Sequence, residues 1–247
     1  MQFGFRKKRS TVDALNAICN EIRAARSGTW RTRKFCAVIT LDVKNAFNSA
    51  RWNVILSELR RRKINNKLTA IIEAYLSHRS IQYDTDIGKD QRTITRGVPQ
   101  GSVLASLLWN IMYDGVLRII LPSGSKLVGF ADDLTLIVTA KREEGIMRLG
   151  NLAVQKIGDW IESRGLKIVP EKTEALLISG RRKHIPIHFS VQGQRIDISN
   201  SIRCLGVLLD KNLSFLPHIK RTADRATTSI KIPNSGHWGY AVSRCSF

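Results

Sequence analysis

The sequence is poor in cysteine and lacks an uninterrupted apolar run, and each shortage excludes a class of protein. Its four cysteines, Cys19, Cys36, Cys204 and Cys245, are scattered and form no Cys-x-x-Cys pair. This spacing argues against a disulfide framework or a structural zinc site, and it favours a reducing compartment. The basic start, residues 1–10, has no apolar core after it, so it is not a signal peptide.

The most apolar stretch, residues 103–121, is interrupted by Asn110, Asp114 and Arg118. It predicts a buried helix and not a membrane span, and we expect no membrane partner. The chain has no internal repeat and no low-complexity tract. A length of 247 residues suits one large domain or two small ones.

Acidic residues are half as numerous as basic ones. The chain has 20 Asp and Glu against 40 Lys and Arg, which gives a net charge of +20 at pH 7. Such an excess favours a polyanionic partner, of which nucleic acid is the commonest. The charge alone is also compatible with a basic surface that only keeps the protein in solution, or with binding to a membrane surface.

Two adjacent aspartates, Asp132 and Asp133, lie between the apolar runs 127–131 and 134–138. The runs predict buried strands, and the two polar residues between them predict a tight hairpin. Adjacent carboxylates beside buried strands are costly unless a cation compensates them, and Mg²⁺ or Mn²⁺ suits such oxygen ligands. The alternative is a solvated Asp-Asp turn.

Two further segments carry polar groups at places where a ligand could bind. Residues 34–41 predict a strand with Asp42 at its carboxyl end, a position suited to a site above a sheet. Residues 96–102 contain Gly, Pro and Gly, which predict a loop whose backbone can approach a ligand, with the Gln100 amide available to it. The alternative for this loop is an ordinary joint before a helix.

Periodicity and boundary residues predict the remaining elements. Ser10 and Asp13 resemble a capping box that opens a helix. His184 and His188 are four residues apart, but Pro186 breaks any helix between them, which argues against a metal pair. The other predicted helices are residues 51–62, 66–77, 143–164 and 216–229, and the other predicted strands are 81–87, 92–95, 174–178, 186–191 and 202–209.

Several stretches, in order along the chain, resemble the motifs of a reverse transcriptase of the non-LTR (LINE-type) retrotransposon class. The resemblance covers residues 2–234. Its components are a fingers motif at 2–14, motif A at 37–47, motif B at 96–104, motif C in the Phe-Ala-Asp-Asp form at 129–138, motif D at 165–178 and the primer-grip hairpin at 201–215.

The resemblance implies an RNA-directed DNA polymerase that copies a transposable element. It implies that two Mg²⁺ or Mn²⁺ ions are held by Asp42, Asp132 and Asp133, and that Lys172 protonates the leaving pyrophosphate. The expected partners are an RNA template, a DNA primer and deoxynucleoside triphosphates. Action in the nucleus is implied only through the family, which primes on chromosomal DNA.

Three residues are implied to handle the incoming nucleotide. Phe47 stands at the steric-gate position, where it would exclude a ribose 2′-hydroxyl. Gln100 and Gly101 of motif B would face the nucleotide. A polymerase that makes RNA is therefore disfavoured, whereas a catalytically inactive remnant that binds nucleic acid stays open as the alternative.

The implied fold class is α+β, a right-hand polymerase palm with partial fingers and little thumb. Its central antiparallel sheet would have three to four strands (36–41, 127–131, 134–138, 174–178), backed by helices 103–121 and 143–164. The expected division is a partial fingers segment at 1–33, a palm at 34–180 with an interleaved fingers segment at about 60–96, a primer-grip-like small sheet at 181–212, and a truncated thumb start with a loose tail at 213–247.

The sequence departs from the family pattern in two respects. Ala105 and Ser106 stand where the family usually has Gly-Pro, a change that removes no ligand. The chain also begins inside the fingers motif, and we expect a palm-centred piece without the usual thumb or endonuclease domain.

Overall fold

The computed structural model describes residues 1–29, 31–179 and 185–231. The helices are α1 (Thr11–Arg26), α2 (Ala46–Ser49), α3 (Trp52–Arg61), α4 (Asn66–Leu76), α5 (Val103–Tyr113), α6 (Glu143–Ser163) and α7 (Leu216–Lys231). The strands are β1 (Phe35–Leu41), β2 (Ser80–Thr85), β3 (Gly88–Thr93), β4 (Ser125–Phe130), β5 (Asp133–Ala140), β6 (Glu174–Ile178), β7 (His188–Val191), β8 (Gln194–Ser199), β9 (Ser201–Cys204) and β10 (Val207–Asp210).

A six-stranded sheet in the order β4-β5-β1-β6-β8-β7 forms the centre of the fold. All its neighbours are antiparallel except β6 and β8, which run parallel. The four predicted strands are its first four members. The predicted number of strands, three to four, was too small, because β7 and β8 extend the same sheet.

Both faces of the sheet are buried at β1, whose successive side chains point to opposite faces. Ala37, Ile39 and Leu41 belong to a core that also contains residues of α3, α5 and α6. Cys36 and Val38 face the opposite core, which contains residues of α1 and of the β9–β10 hairpin. The sheet is therefore covered on both sides at β1.

The helix predicted over residues 103–121 is shorter than expected. Helix α5 ends at Tyr113, and a 3₁₀ turn spans Asp114–Arg118. A Cβ on Gly115 would lie 2.7 Å from the Trp160 ring, so the chain passes tightly beneath α6 at this point. The predicted capping box at Ser10 and Asp13 is confirmed.

Two predicted strand boundaries were wrong because the turns lie elsewhere. Thr85 pairs with Gly88, so the β2–β3 turn is formed by residues 86 and 87 and not by the residues between the predicted strands 81–87 and 92–95. The strand predicted over 202–209 is a hairpin, as the resemblance at 201–215 implied, because Leu205 and Gly206 adopt φ values of 48° and 82° and reverse the chain.

No helix in the described part of the chain is long and apolar enough to cross a membrane. His184 lies outside the described residues, so the prediction that His184 and His188 form no metal pair stays a prediction.

Candidate active site

Three aspartates from two separate segments meet at one end of the central sheet. Leu41, the last residue of β1, pairs with Leu134 of β5, so Asp42 follows at the same end where β5 begins. Phe130 pairs with Asp133, which makes Ala131 and Asp132 the turn between β4 and β5. The predicted turn is therefore displaced by one residue, and Ala131 takes the left-handed conformation with φ 57°.

The three carboxylates influence one another electrostatically. Burial, together with the negative charge of Asp42, raises the pKa of Asp132. The side chain of Asp133 is reached by water, yet protein atoms packed around it remove much of its solvation. That desolvation, with the charges of Asp132 and Asp42, raises the pKa of Asp133 to about 6. Such a cluster gains from a bound cation.

Lys172 lies directly beside the site. Its Nζ is 3.2 Å from Oδ2 of Asp42. The segment that carries it is fixed by two backbone hydrogen bonds, from Val169 N to Asp42 O at 2.9 Å and from Lys44 N to Lys167 O at 2.8 Å. The two predicted site residues Asp42 and Lys172, 130 positions apart in the chain, are thus brought into an ion pair.

The turn that carries Asp132 rests on side chains that the sequence did not identify. Tyr113 Oη donates a hydrogen bond to Asp132 O at 3.2 Å, and Trp109 Nε1 donates to Ala131 O at 3.3 Å. Gln2 Nε2 donates to the same carbonyl at 3.1 Å. Burial raises the pKa of Tyr113 well above its usual value, so its hydroxyl stays a donor. In the sequence, Tyr113 and Trp109 are marked only by lying in the apolar run 103–121, and Gln2 only by lying in the basic start.

Phe47 is held in place by stacking and by the neighbouring loop. Its ring stacks on Trp109 with centroids 5.0 Å apart and an interplanar angle of 27°. Phe5 contacts the same ring edge-on at 5.9 Å. Phe47 O accepts a hydrogen bond from Val98 N at 2.9 Å, which joins α2 to the loop of residues 96–102.

The two residues predicted to contact the nucleotide lie at the surface of the loop of residues 96–102. Gln100 and Gly101 are exposed, and Gly101 adopts φ 87°, a conformation that favours glycine. Within the described residues no hydrogen bond or ion pair connects Gln100 with the three aspartates. The loop itself is fixed, because Trp52 Nε1 donates to Gly97 O at 2.7 Å.

The donor set suits a hard divalent cation, although the side chains are not already arranged around one. Asp42 and Asp133 line a cavity of about 240 Å³ together with Lys172. Carboxylate oxygens are the ligands that Mg²⁺ and Mn²⁺ prefer. Desolvation, followed by the charges of the neighbouring aspartates, raises the pKa values of Asp132 and Asp133, and a bound cation would offset both effects. Within the described residues no group of three or more His, Cys, Asp or Glu side chains is positioned to hold a metal ion.

Residues 1–209 match the family described as reverse transcriptase (RNA-dependent DNA polymerase). The chain belongs to this family. Its relatives include the retrovirus-related Pol polyprotein of the type-1 retrotransposable element R1 from Bradysia coprophila, 24% identical over 88% of this chain and 21% of the polyprotein. They also include the 115 kDa protein in type-1 retrotransposable element R1DM from Drosophila melanogaster, 26% identical over 92% of this chain and 21% of that protein.

The fold of this reverse transcriptase chain is also found in a solved telomerase structure. Telomerase from Candida tropicalis, in complex with a fragment of telomeric RNA, aligns with a TM-score of 0.60 and 15% identity, covering 83% of this chain and 32% of the telomerase chain. The predicted α+β palm is thereby confirmed. The chain spans about a fifth of the length of the two retrotransposon relatives.

Proposed function

We propose that this chain adds deoxynucleotides to the 3′ end of a DNA primer on an RNA template. The observation that supports this most is the convergence of Asp42 with Asp132 and Asp133 at one end of the sheet in a member of the reverse transcriptase family. The net charge of +20 suits the phosphate backbones of template and primer.

Asp42, Asp132 and Asp133 would hold two Mg²⁺ or Mn²⁺ ions. Bound there, the ions would supply activation of the primer hydroxyl and charge stabilisation at phosphorus. The protein itself fixes the carboxylates: β1 positions Asp42, and the hydrogen bonds from Tyr113 and Trp109 hold the backbone of the turn.

The remaining predicted roles concern the nucleotide and its leaving group. Lys172, whose Nζ lies 3.2 Å from Oδ2 of Asp42, would donate a proton to pyrophosphate as it departs. Phe47, stacked on Trp109, would present a rigid surface to the sugar and exclude a 2′-hydroxyl. Gln100 and Gly101 would contact the incoming nucleotide from the loop.

The test is Mg²⁺-dependent extension of a DNA primer on an RNA template, with Asp132→Asn as the variant and exposed Asp159→Asn as the matched control. We expect extension by the parent and the control, and a loss of about 100-fold or more in Asp132→Asn. If none of the three extends the primer while salt-sensitive binding of RNA–DNA duplex is retained, the chain is the inactive, nucleic-acid-binding remnant instead.

A further inference from the structure

The β9–β10 hairpin forms one wall of the cavity that Asp42 and Asp133 line. The tip of the hairpin is formed by Leu205 and Gly206, which lie between its two strands, and both residues line this cavity of about 240 Å³. A primer whose 3′ end lies at the carboxylates would therefore contact the tip. The position of the tip would then decide where the primer end lies.

Apolar packing alone does not fix the hairpin in one place. Within the described residues, β9 and β10 pair only with each other, and an isolated two-stranded hairpin is marginally stable in water. Ile202, Cys204 and Leu209 are buried in the core that also contains residues of α1. Because apolar burial has no directional preference, holding the tip at a defined place beside the carboxylates requires directional contacts as well.

A row of three polar side chains crosses the central sheet beside the carboxylates. Thr40 of β1 pairs with Thr135 of β5 on one side and with Glu174 of β6 on the other. Side chains of directly paired residues project from the same face of a sheet, and Asp133 shares this face because it lies two residues before Thr135. Val38, two residues before Thr40, packs into the same core as the hairpin, so the row faces the hairpin.

Strand β9 is attached to both ends of this row. Oε2 of Glu174 accepts a hydrogen bond from Arg203 N at 2.7 Å. At the other end, Oγ1 of Thr135 lies 3.5 Å from Sγ of Cys204. A hydrogen bond to a carboxylate is roughly twice as strong as one between neutral groups, whereas a thiol is a weak partner. Glu174 therefore makes the stronger of the two attachments.

Glu174 also lines the cavity with Asp42 and Asp133, which raises the alternative of a further metal ligand. Its Oε2 is engaged with the backbone N–H of Arg203, and Oγ1 of Thr40 donates to its backbone carbonyl at 3.4 Å. Both contacts hold Glu174 to its neighbours in the protein. They favour an acceptor for the hairpin over a ligand for a cation.

We propose that Glu174 is a positioning residue, which holds the tip of the β9–β10 hairpin beside Asp42 and Asp133 and thereby places the 3′ end of the primer. This rests on the proposed function. The carboxylate acts as the hydrogen-bond acceptor for Arg203 N, and this role requires neither its charge nor a cation. An amide oxygen at the same place should therefore substitute for it.

The test uses the full chain with Glu174→Gln, which keeps an acceptor oxygen, and Glu174→Ala, which removes it. The matched control is Glu144→Ala, because Glu144 is an exposed carboxylate in the first turn of α6. Primer extension on an RNA template gives the maximal rate and the concentrations of primer–template, nucleotide and Mg²⁺ that support half of it. Circular dichroism and thermal unfolding report whether each variant is folded.

We expect Glu174→Ala to need about tenfold more primer–template for the half-maximal rate, because a hydrogen bond to a charged group is lost. The required concentrations of nucleotide and Mg²⁺ should be unchanged, since Glu174 touches neither. Glu174→Gln should recover most of the loss, and Glu144→Ala should match the parent. A role in stability alone would change the unfolding temperature without this selective effect on the primer.

A second measurement needs no catalysis. A DNA primer with the fluorescent base 2-aminopurine at its 3′ end is bound on an RNA template, without metal or nucleotide. At saturating protein, the fluorescence change on binding should be the same for the parent, Glu174→Gln and Glu144→Ala. It should be smaller for Glu174→Ala, because the primer end is no longer held in one place.

The proposal is overturned if Glu174→Gln loses activity as Glu174→Ala does and requires more Mg²⁺, which would make Glu174 a metal ligand. It is also overturned if a folded Glu174→Ala has the primer constants and the fluorescence of the parent. If Glu174→Ala does not fold, Glu174→Gln decides, since parental constants support the acceptor role and a raised Mg²⁺ requirement refutes it. A parent whose primer-end fluorescence depends on Glu174 but which adds no nucleotide retains the positioning role and loses the polymerase function.

Discussion

Nζ of Lys172 lies 3.2 Å from Oδ2 of Asp42, which pairs a proposed proton donor with a proposed metal ligand. The ammonium group occupies one side of a carboxylate that also has two other aspartates nearby. Both side chains are accessible to water, with exposed fractions of 68% and 31%, so the pair can open at little cost. A divalent cation and Lys172 would therefore compete for Asp42.

Replacing Lys172 tests this competition. In Lys172→Met we expect half-maximal activity at a lower Mg²⁺ concentration, because Asp42 no longer has the competing ammonium. The maximal rate should fall about 100-fold if the lysine also protonates pyrophosphate. Primer extension titrated with Mg²⁺ measures both quantities, and exposed Lys156→Met on α6 is the control. An unchanged maximal rate would remove the proton-donor role.

Replacing Phe47 tests the selection of deoxynucleotides. In Phe47→Val the smaller side chain leaves room for a 2′-hydroxyl, and we expect the preference for deoxynucleotides over ribonucleotides to fall about tenfold or more. The measurement is the ratio of the two incorporation efficiencies on the same primer and template. Loss of stacking on Trp109 should also lower stability, so thermal unfolding is measured alongside. A preserved ratio in a folded variant would refute the steric role.

Replacing Gly4 tests whether the start of the chain supports the turn between β4 and β5, which carries Asp132. A Cβ at this position would overlap the backbone nitrogen of Ala131, so the basic start of the chain is in tight contact with the turn that carries Asp132. We expect Gly4→Ala to lower the free energy of unfolding by about 1–3 kcal/mol through overpacking.

Gly158 of α6 provides the matched control for this change, because a Cβ there meets nothing within 4 Å. Gly158→Ala should be neutral or stabilise the helix by up to about 1 kcal/mol. Chemical denaturation compares the two alanine variants with the parent. Equal stability of both variants would contradict the close contact between Gly4 and the turn.

Replacing Asp114 tests the ion pairs that it forms with Arg6, Arg62 and Arg118. It accepts hydrogen bonds from Arg62 at 3.2 Å and Arg118 at 2.6 Å, and its Oδ1 is 3.4 Å from Arg6. Burial alone would raise the pKa of Asp114, but these hydrogen bonds and the positive charges of Arg118 and Arg6 bring it below its usual value. Asp114→Asn should cost about 1–3 kcal/mol at neutral pH.

The pH dependence of this loss has a definite sign. Because the folded pKa of Asp114 is below the unfolded value, its contribution is complete above the unfolded pKa, about 3.9, and disappears as the pH falls through the folded pKa. The difference in unfolding free energy between the parent and Asp114→Asn should therefore shrink below about pH 4. A difference that is constant with pH would show that the carboxylate charge does not contribute.

Much of the fold was predictable from local pattern. The limits of β6 and the capping box of α1 match the prediction, because each depends on a few neighbouring residues. The turn between β2 and β3 was misplaced, since β-hairpin register depends on pairing that a single strand does not encode. The end of α5 was missed because the chain that follows it packs closely against Trp160 of α6, a residue distant in the sequence.

The sequence alone determined the family, the three aspartates and the strong positive charge, since these depend on residue identity and order. Only the tertiary structure decided what lies against the aspartates: the pairing of Lys172 with Asp42 and the support of the turn by Tyr113 and Trp109. The physical reason is that such contacts join residues many positions apart, and their distances are fixed by how the sheet and helices pack rather than by any local pattern.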